Sequence, residues 1–177
     1  MDRESIRELF DYTGWAWERI ERTIDGLPPG TFERAVDGSG WPALRDCFQH
    51  FCAAYDGWVH GKWALALGDM IFTGPDSLAT WEQAKAYRPR VRAAFLAALA
   101  APDDVLFAKK AYEFDGVPES LSRADILSNL VLHERGHHGD INTLFHQLGV
   151  RSFFVDYRYF ITRPADFILD EDDPEED

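Results

Sequence analysis

The stretch SRADILSNLVLHERGHHGDINTLFHQLG, residues 122–149, decides the fold class. Its apolar residues recur every three or four positions, which is the spacing of an amphipathic helix. Ser122 and Asp125 have the spacing of a capping box, which begins a helix. Gly149 suits the left-handed conformation that often ends one. The stretch therefore predicts one long helix between Ser122 and Gly149.

Three further segments with helical spacing precede this helix, at residues 3–24, 42–67 and 76–100. Segments with glycine and proline separate them, and such residues punctuate helices. Between Pro102 and Pro118 the spacing becomes that of a short extended segment or hairpin. The sequence thus predicts an all-α protein, a four-helix bundle with a short extended or hairpin insert before the last long helix.

The first helix has two different sides. Phe10, Trp17 and Ile20 share one face, which predicts that this face is buried. Tyr12 and Trp15 lie on the other side, and we expect their rings to be exposed or to pack on a loop, because exposed single aromatics are common. A subunit contact is the alternative for these two rings.

Length and charge limit the function classes. The 177 residues have an apolar fraction of 46%, 18 basic and 31 acidic residues, and a net charge of −13. A chain of this size folds as one domain without disulfide or metal, so that a metal site would be functional. The acidic balance and the lack of a Lys/Arg cluster argue against nucleic acid and against anionic membranes as partners.

The ends of the chain and its cysteines indicate where the folded domain ends and in which cell compartment we expect the protein. Residues 166–177 are rich in acidic residues and contain no basic one, which is typical of a solvated, disordered tail. We therefore assign residues 1–165 to the bundle and 166–177 to this tail. Cys47 and Cys52 form no redox or zinc motif, and we see no signal peptide or membrane span, which favours a cytoplasmic protein.

Two histidines on the last helix suggest metal chemistry. His133 and His137 are one turn apart on the face that also carries Leu130 and Ile141, so both rings point toward the core. Buried imidazoles need partners for two nitrogens each, and a divalent metal supplies one of them. A hydrogen-bonded structural pair is the alternative. By the same geometry His138 lies at the margin of this face and His146 faces solvent.

A third ligand must come from another helix, because two histidines hold a metal poorly. His50 is the best candidate, since it lies beside small residues that leave room for a cavity: Ala43, Ala54, Gly57 and Gly61. Close helix packing is the structural alternative for those glycines. Asp46 and Asp140 lie near enough to orient an imidazole or to approach the cavity, and both are candidate site residues.

Three segments in this order resemble the DinB/YfiT-like family. They are LFDYTGWA at residues 9–16, LRDCFQH at residues 44–50 and HERGHHGDI at residues 133–141, followed by Leu148 and Gly149. The resemblance runs to about Pro164. The chain departs from the family pattern at His138 and Asp140, where members often have arginine and glutamine.

This resemblance implies a fold, a metal and a class of reaction. It implies a four-helix bundle of up-down-down-up topology with a divalent metal on three histidines, here His50, His133 and His137. Zinc, nickel and iron all suit imidazole ligands. Characterised members include transferases and isomerases that use low-molecular-weight thiols, so the expected partner is a small-molecule substrate, with a thiol as one option. Family members often form homodimers.

Two other functions fit the same residues. HERGH at residues 133–137 matches the His-Glu-x-x-His motif of zinc metalloproteases, in which Glu134 would be the catalytic base. The third histidine of the extended motif is missing, since Thr143 occupies its position, and we see no protease-like sheet. A metal-binding or scaffolding bundle without turnover is the other alternative. An open metal position beside Ala54 and Gly57 would favour chemistry, whereas a site filled by Trp or Phe would favour structure.

Overall fold

The protein is mostly helical. A computed structural model describes residues 1–38, 40–72, 74–151 and 156–162. The four long helices are α1 (Arg3–Asp25), α2 (Leu44–His60), α3 (Trp81–Leu99) and α5 (Arg123–Gln147). The shorter elements are a 3₁₀ turn (Pro75–Leu78), α4 (Asp103–Leu106), β1 (Lys110–Phe114), β2 (Val117–Leu121) and α6 (Tyr157–Thr162).

The long helices share one apolar core. Helix α5 packs against α1, α2 and α3, and α2 also packs against α3. The predicted inner face of α1 is buried, with Phe10 stacked on Phe95 of α3. The up-down-down-up order of a four-helix bundle stays a prediction. No helix in the described ranges has the length and apolarity that crossing a bilayer requires.

Both predicted ends of α5 are confirmed. The Ser122 side chain accepts a hydrogen bond from the Asp125 backbone N–H, and the Asp125 carboxylate accepts one from the Ser122 backbone, which completes the capping box. Gly149 follows the helix with a φ of 75°, the left-handed conformation that favours glycine.

The predicted end of α2 is wrong. Helix α2 ends at His60 and not near Leu67, because Gly61 leaves the helical conformation. The buried carboxylate of Asp56 then accepts hydrogen bonds from the backbone N–H groups of Ile71 and Phe72. This contact holds residues 61–72 against α2 as an irregular loop, although their apolar spacing resembles that of a helix.

The third predicted helix is divided in two. A 3₁₀ turn, Pro75–Leu78, precedes α3, which begins at Trp81 because Thr80 and Gln83 form a capping box. The predicted hairpin before the last long helix is confirmed. Its strands pair Phe114 with Val117 around Asp115 and Gly116, both of which have positive φ, as a tight hairpin turn requires.

The expectation that Tyr12 and Trp15 are exposed or meet a loop is wrong. Both are buried, and their rings contact Phe160 of the short helix α6. Tyr157 also packs edge-on against Tyr12. Helix α6 therefore covers the side of α1 that faces away from the main core. The predicted acidic tail, residues 166–177, lies outside the described residues.

Candidate metal centre

Helices α2 and α5 run antiparallel and bring the three predicted histidines together. Cys47 lies beside His137, whereas Tyr55, two turns later on α2, bonds to Glu134 on the preceding turn of α5. His50 thereby faces His133 and His137 across the contact between the helices. His50 is exposed and the other two are half-buried.

The Nε2 atoms of the three rings converge on one point. Nε2 of His133 lies 3.2 Å from Nε2 of His50 and 3.1 Å from Nε2 of His137. A single N–H can point at only one of these neighbours, so that hydrogen bonds among the rings cannot satisfy all three nitrogens. The convergence therefore leaves lone pairs directed at a shared centre.

Asp140 sets the tautomer of His137. Its Oδ2 lies 2.8 Å from Nδ1 of His137, and an ionised carboxylate can only accept a hydrogen bond. Nδ1 therefore carries the proton, and the Nε2 lone pair is free to point at His133. Histidines that bind metals are commonly oriented by an acceptor in this way.

Trp41 lies beside the histidine cluster, which is formed by His50, His133 and His137, and the sequence did not predict this position of Trp41. Its indole N–H donates to the same Oδ2 of Asp140, at 2.9 Å. Its ring centroid lies 4.9 Å from that of His50 and 5.4 Å from that of His137. Trp41 thus covers one side of the cluster and helps to hold Asp140. Its position in a loop just before Pro42 carried no periodic signal.

The electrostatic environment favours the neutral form of two of the rings, His133 and His50. Burial lowers the pKa of His133 to about 4, and the neighbouring rings of His137 and His50 add to this effect. Burial and His137 also lower the pKa of His50. Neutral imidazole is the form that binds metal.

The three residues fit a divalent metal. A tetrahedral ion with bonds to nitrogen of about 2.0–2.1 Å requires ligand atoms about 3.3 Å apart, close to the two Nε2 distances here. The ligand atoms of all three rings lie within 4.8 Å of one another. Among the residues that the structure describes, Nδ1 of His133 has no hydrogen-bond partner and is buried. The cluster therefore has the donor type and spacing of a three-histidine site.

Glu134 would be the catalytic base if the protein were a zinc metalloprotease. It lies apart from the point where the three Nε2 atoms converge. It is fully buried, its Oε2 accepts a 2.6 Å hydrogen bond from the Tyr55 hydroxyl, and its Oε1 pairs with Arg88 of α3. Burial alone would raise the pKa of Glu134, but the guanidinium of Arg88 holds it well below its usual range. Both oxygens are thus occupied by the core, which does not favour a role as base.

The other sequence candidates have distinct surroundings. Asp46 pairs with its neighbour Arg45, at 3.2 Å. His146 is exposed as predicted, but His138 is fully buried and not marginal. Its Nε2 lies 3.3 Å from Glu134 without hydrogen-bond geometry.

The small residues beside His50 do not all line a cavity. A Cβ at Gly57 would lie 3.3 Å from the ring of Trp63, and one at Gly61 would lie 2.8 Å from its Nε1. Trp63 therefore fills the space that these two glycines leave. His50 itself is exposed, and Ala54, one turn from His50, is only half-buried.

A second group of possible ligands shares His137. Sγ of Cys47, Nδ1 of His137 and a carboxylate oxygen of Asp140 also lie within 4.8 Å of one another. Cys47 is fully buried, and burial, with the carboxylate of Asp140 adding to it, strongly raises the pKa of its thiol. In this group Nδ1 of His137 is bonded to Asp140 and lies 4.0 Å from Sγ of Cys47, whereas Nε2 of His133 lies at metal-ligand spacing from the other two Nε2 atoms. The three-histidine group is therefore the better candidate.

The fold and the site together define a class of protein. The chain is mostly helical, and a group of histidines at metal-binding distance lies between two of its long helices. The sequence model of the DinB family matches residues 1–168, nearly the whole chain. The chain therefore belongs to this family. No curated protein is similar enough to match it.

Proposed function

We propose that this DinB-family protein binds one divalent metal ion through His50, His133 and His137 and is a metal-dependent enzyme acting on a small molecule. The convergence of the three Nε2 atoms carries the proposal. Zinc, nickel and iron are all compatible with three imidazole ligands. Three protein ligands would leave such an ion able to bind water or substrate as well, and the exposure of His50 would give access to it.

An ion held by neutral ligands supplies Lewis-acid chemistry, in that it acidifies a bound water, activates a bound thiolate or polarises a carbonyl. The chain itself supplies orientation and access. Asp140 holds His137 through Nδ1, and Trp41 excludes solvent from one side of the cluster. The exposure of His50 supports an accessible, reactive site, whereas Trp63 in the space beside Gly57 is the feature that supports the structural alternative.

Metal analysis after mild purification tests the site. We expect about one divalent ion per chain in the native protein, and much less in His50→Ala, His133→Ala and His137→Ala. His146→Ala removes an exposed histidine from α5, the helix that carries His133 and His137, and is the matched control. Unchanged metal content in all three site variants would contradict the proposal. Loss in His133→Ala and His137→Ala only would show that the third ligand is wrong.

The type of reaction needs its own experiment. We propose a thiol-dependent transfer or isomerisation, or a hydrolysis by metal-activated water. Small thiols added to the cobalt-substituted protein distinguish these, because a thiolate bound to cobalt changes its visible spectrum. A spectrum that no thiol perturbs would leave hydrolysis as the proposed reaction. An intact metal site that turns over neither thiol nor ester substrates would favour the non-catalytic alternative.

A further inference from the structure

The buried carboxylate of Glu134 joins three helices beside the histidine cluster. Glu134 directly follows the proposed ligand His133 on α5 and is fully buried. Its Oε2 accepts a hydrogen bond of 2.6 Å from the buried hydroxyl of Tyr55 on α2, and its Oε1 pairs with the guanidinium of Arg88 on α3. One carboxylate therefore bonds α5 to both α2 and α3, next to a residue of the proposed metal centre.

The bond from Tyr55 joins the two helices that carry the histidines. His50 precedes Tyr55 by five residues on α2, and His133 is the neighbour of Glu134 on α5. Long side chains on a helix lean toward its N-terminus, so the hydroxyl of Tyr55 is carried back toward the level of His50. The bond thus crosses from α2 to α5 close to the place where the rings of His50 and His133 meet, with centroids 5.1 Å apart.

The position of α2 matters to only one of the three histidines. His133 and His137 share α5, so their spacing is set within one helix, whereas His50 reaches them only if α2 is correctly placed. Packed helices shift against each other by about 1–2 Å, but metal–ligand distances hold to about 0.2 Å. A satisfied buried hydrogen bond is directional and specifies one arrangement of the core, which apolar contacts do less strictly.

We propose that Tyr55 and Glu134 are positioning residues of the metal centre. Their hydrogen bond holds α2 against α5 so that Nε2 of His50 lies within ligand distance of Nε2 of His133. The glutamate of the His-Glu-x-x-His sequence thus serves the site from the core and not as a base. This inference rests on the proposed function, because the metal gives the spacing of the histidines its purpose.

Tyr55→Phe removes the hydroxyl and keeps the ring. We expect its zinc affinity, measured by competition with a chelator, to fall about three- to tenfold, because His50 is no longer held at ligand distance. Tyr87→Phe removes another buried hydroxyl, from α3, which carries none of the three histidines, and is the matched control with native affinity. Native zinc affinity in Tyr55→Phe would overturn the proposal.

The loss must depend on His50 if Tyr55 acts by placing α2. In His50→Ala the remaining ligands, His133 and His137, both lie on α5. Adding Tyr55→Phe to His50→Ala should therefore weaken the residual zinc binding no further. A bond that only stabilises the fold would weaken zinc binding equally with and without His50, and that result would overturn the proposal.

NMR of the metal-free protein separates this inference from the proposed function. The ring protons of His50 and His133 should show a nuclear Overhauser contact that weakens in Tyr55→Phe and persists in Tyr87→Phe. This pattern in a protein that holds no metal would contradict the proposed function but not the positioning role. A contact that stays unchanged in Tyr55→Phe would contradict the positioning role, whatever metal the protein holds.

Discussion

Asp140 orients the proposed metal ligand His137 but is not itself one of the three proposed ligands. Its removal therefore tests how much the orientation of His137 contributes to metal binding. Asp140→Ala removes the acceptor for Nδ1 of His137 and for the indole of Trp41. Loss of such an orienting group weakens metal binding by about 10–100-fold, which competition with a chelator measures. Asp46→Ala is the control, since Asp46 pairs only with Arg45 among the described contacts of its side chain. Equal affinities in the two variants would contradict the role of Asp140.

Glu134 provides a second prediction at the residue scale, on stability. Glu134→Gln leaves the buried guanidinium of Arg88 without its counter-charge. Breaking a buried ion pair in this way lowers the free energy of unfolding by about 3–5 kcal/mol, which urea denaturation measures.

A double variant checks that the loss comes from the unpaired charge. Arg88→Met combined with Glu134→Leu removes both charges and should recover most of the lost stability. A loss below about 1 kcal/mol in Glu134→Gln alone would show that the pair does not stabilise the fold.

The sequence was sufficient to predict the surroundings of some of these residues but not of others. His133 and His137 could be predicted as neighbours because a four-residue spacing fixes their relation on one helix. Arg88 was missed, although it follows Ala84 and precedes Val91 on the buried stripe of α3, a position where a cation signals a buried partner. That the partner is Glu134 depends on the packing of α3 against α5, which no local spacing encodes.

At the scale of elements, the N-terminus of α5 gives a pH-dependent prediction. The Lys109 ammonium and the Ser122 donors lower the pKa of Asp125 to about 2 from an ordinary value of 3.8. A lowered pKa in the folded state means that the stabilisation is complete above pH 4 and is lost as the pH falls toward 2.

Asp125→Asn tests this contribution. The variant should be less stable than the native protein at pH 6, and the difference should shrink between pH 4 and pH 2, as thermal unfolding measures. Asp37→Asn changes an exposed aspartate in a loop and should not show this trend. A stability difference that stays constant from pH 6 to pH 2 would contradict the assignment to the Asp125 carboxylate.

Helix ends could be predicted where local chemistry sets them. Ser122, Asp125 and Gly149 define α5 through contacts within a few residues of each end. The end of α2 could not be predicted, because residues 61–72 keep an apolar spacing and are held by a distant carboxylate, Asp56. The burial of Tyr12 likewise depends on α6, some 145 residues further along the chain.

At the scale of the whole molecule, metal binding should stabilise the fold. The ligands come from α2 and α5, which pack against each other in the core, so a bound ion links them in the folded state only. Free metal at a hundred times its dissociation constant adds about 2.7 kcal/mol, or roughly 5–10 °C in Tm for a chain of this size. Differential scanning fluorimetry with zinc, on native protein and on His133→Ala, measures the effect. A similar rise in His133→Ala would indicate binding elsewhere.

The central claim concerns the identity of the metal ligands, and X-ray absorption of the zinc-loaded protein tests it most directly. The proposed site predicts nitrogen neighbours at about 2.0–2.1 Å with the multiple scattering of three imidazole rings, and no sulfur. The competing group of Cys47, His137 and Asp140 would add a sulfur neighbour at about 2.3 Å. Three imidazoles without sulfur would support the account, and a sulfur neighbour or fewer than three imidazoles would contradict it.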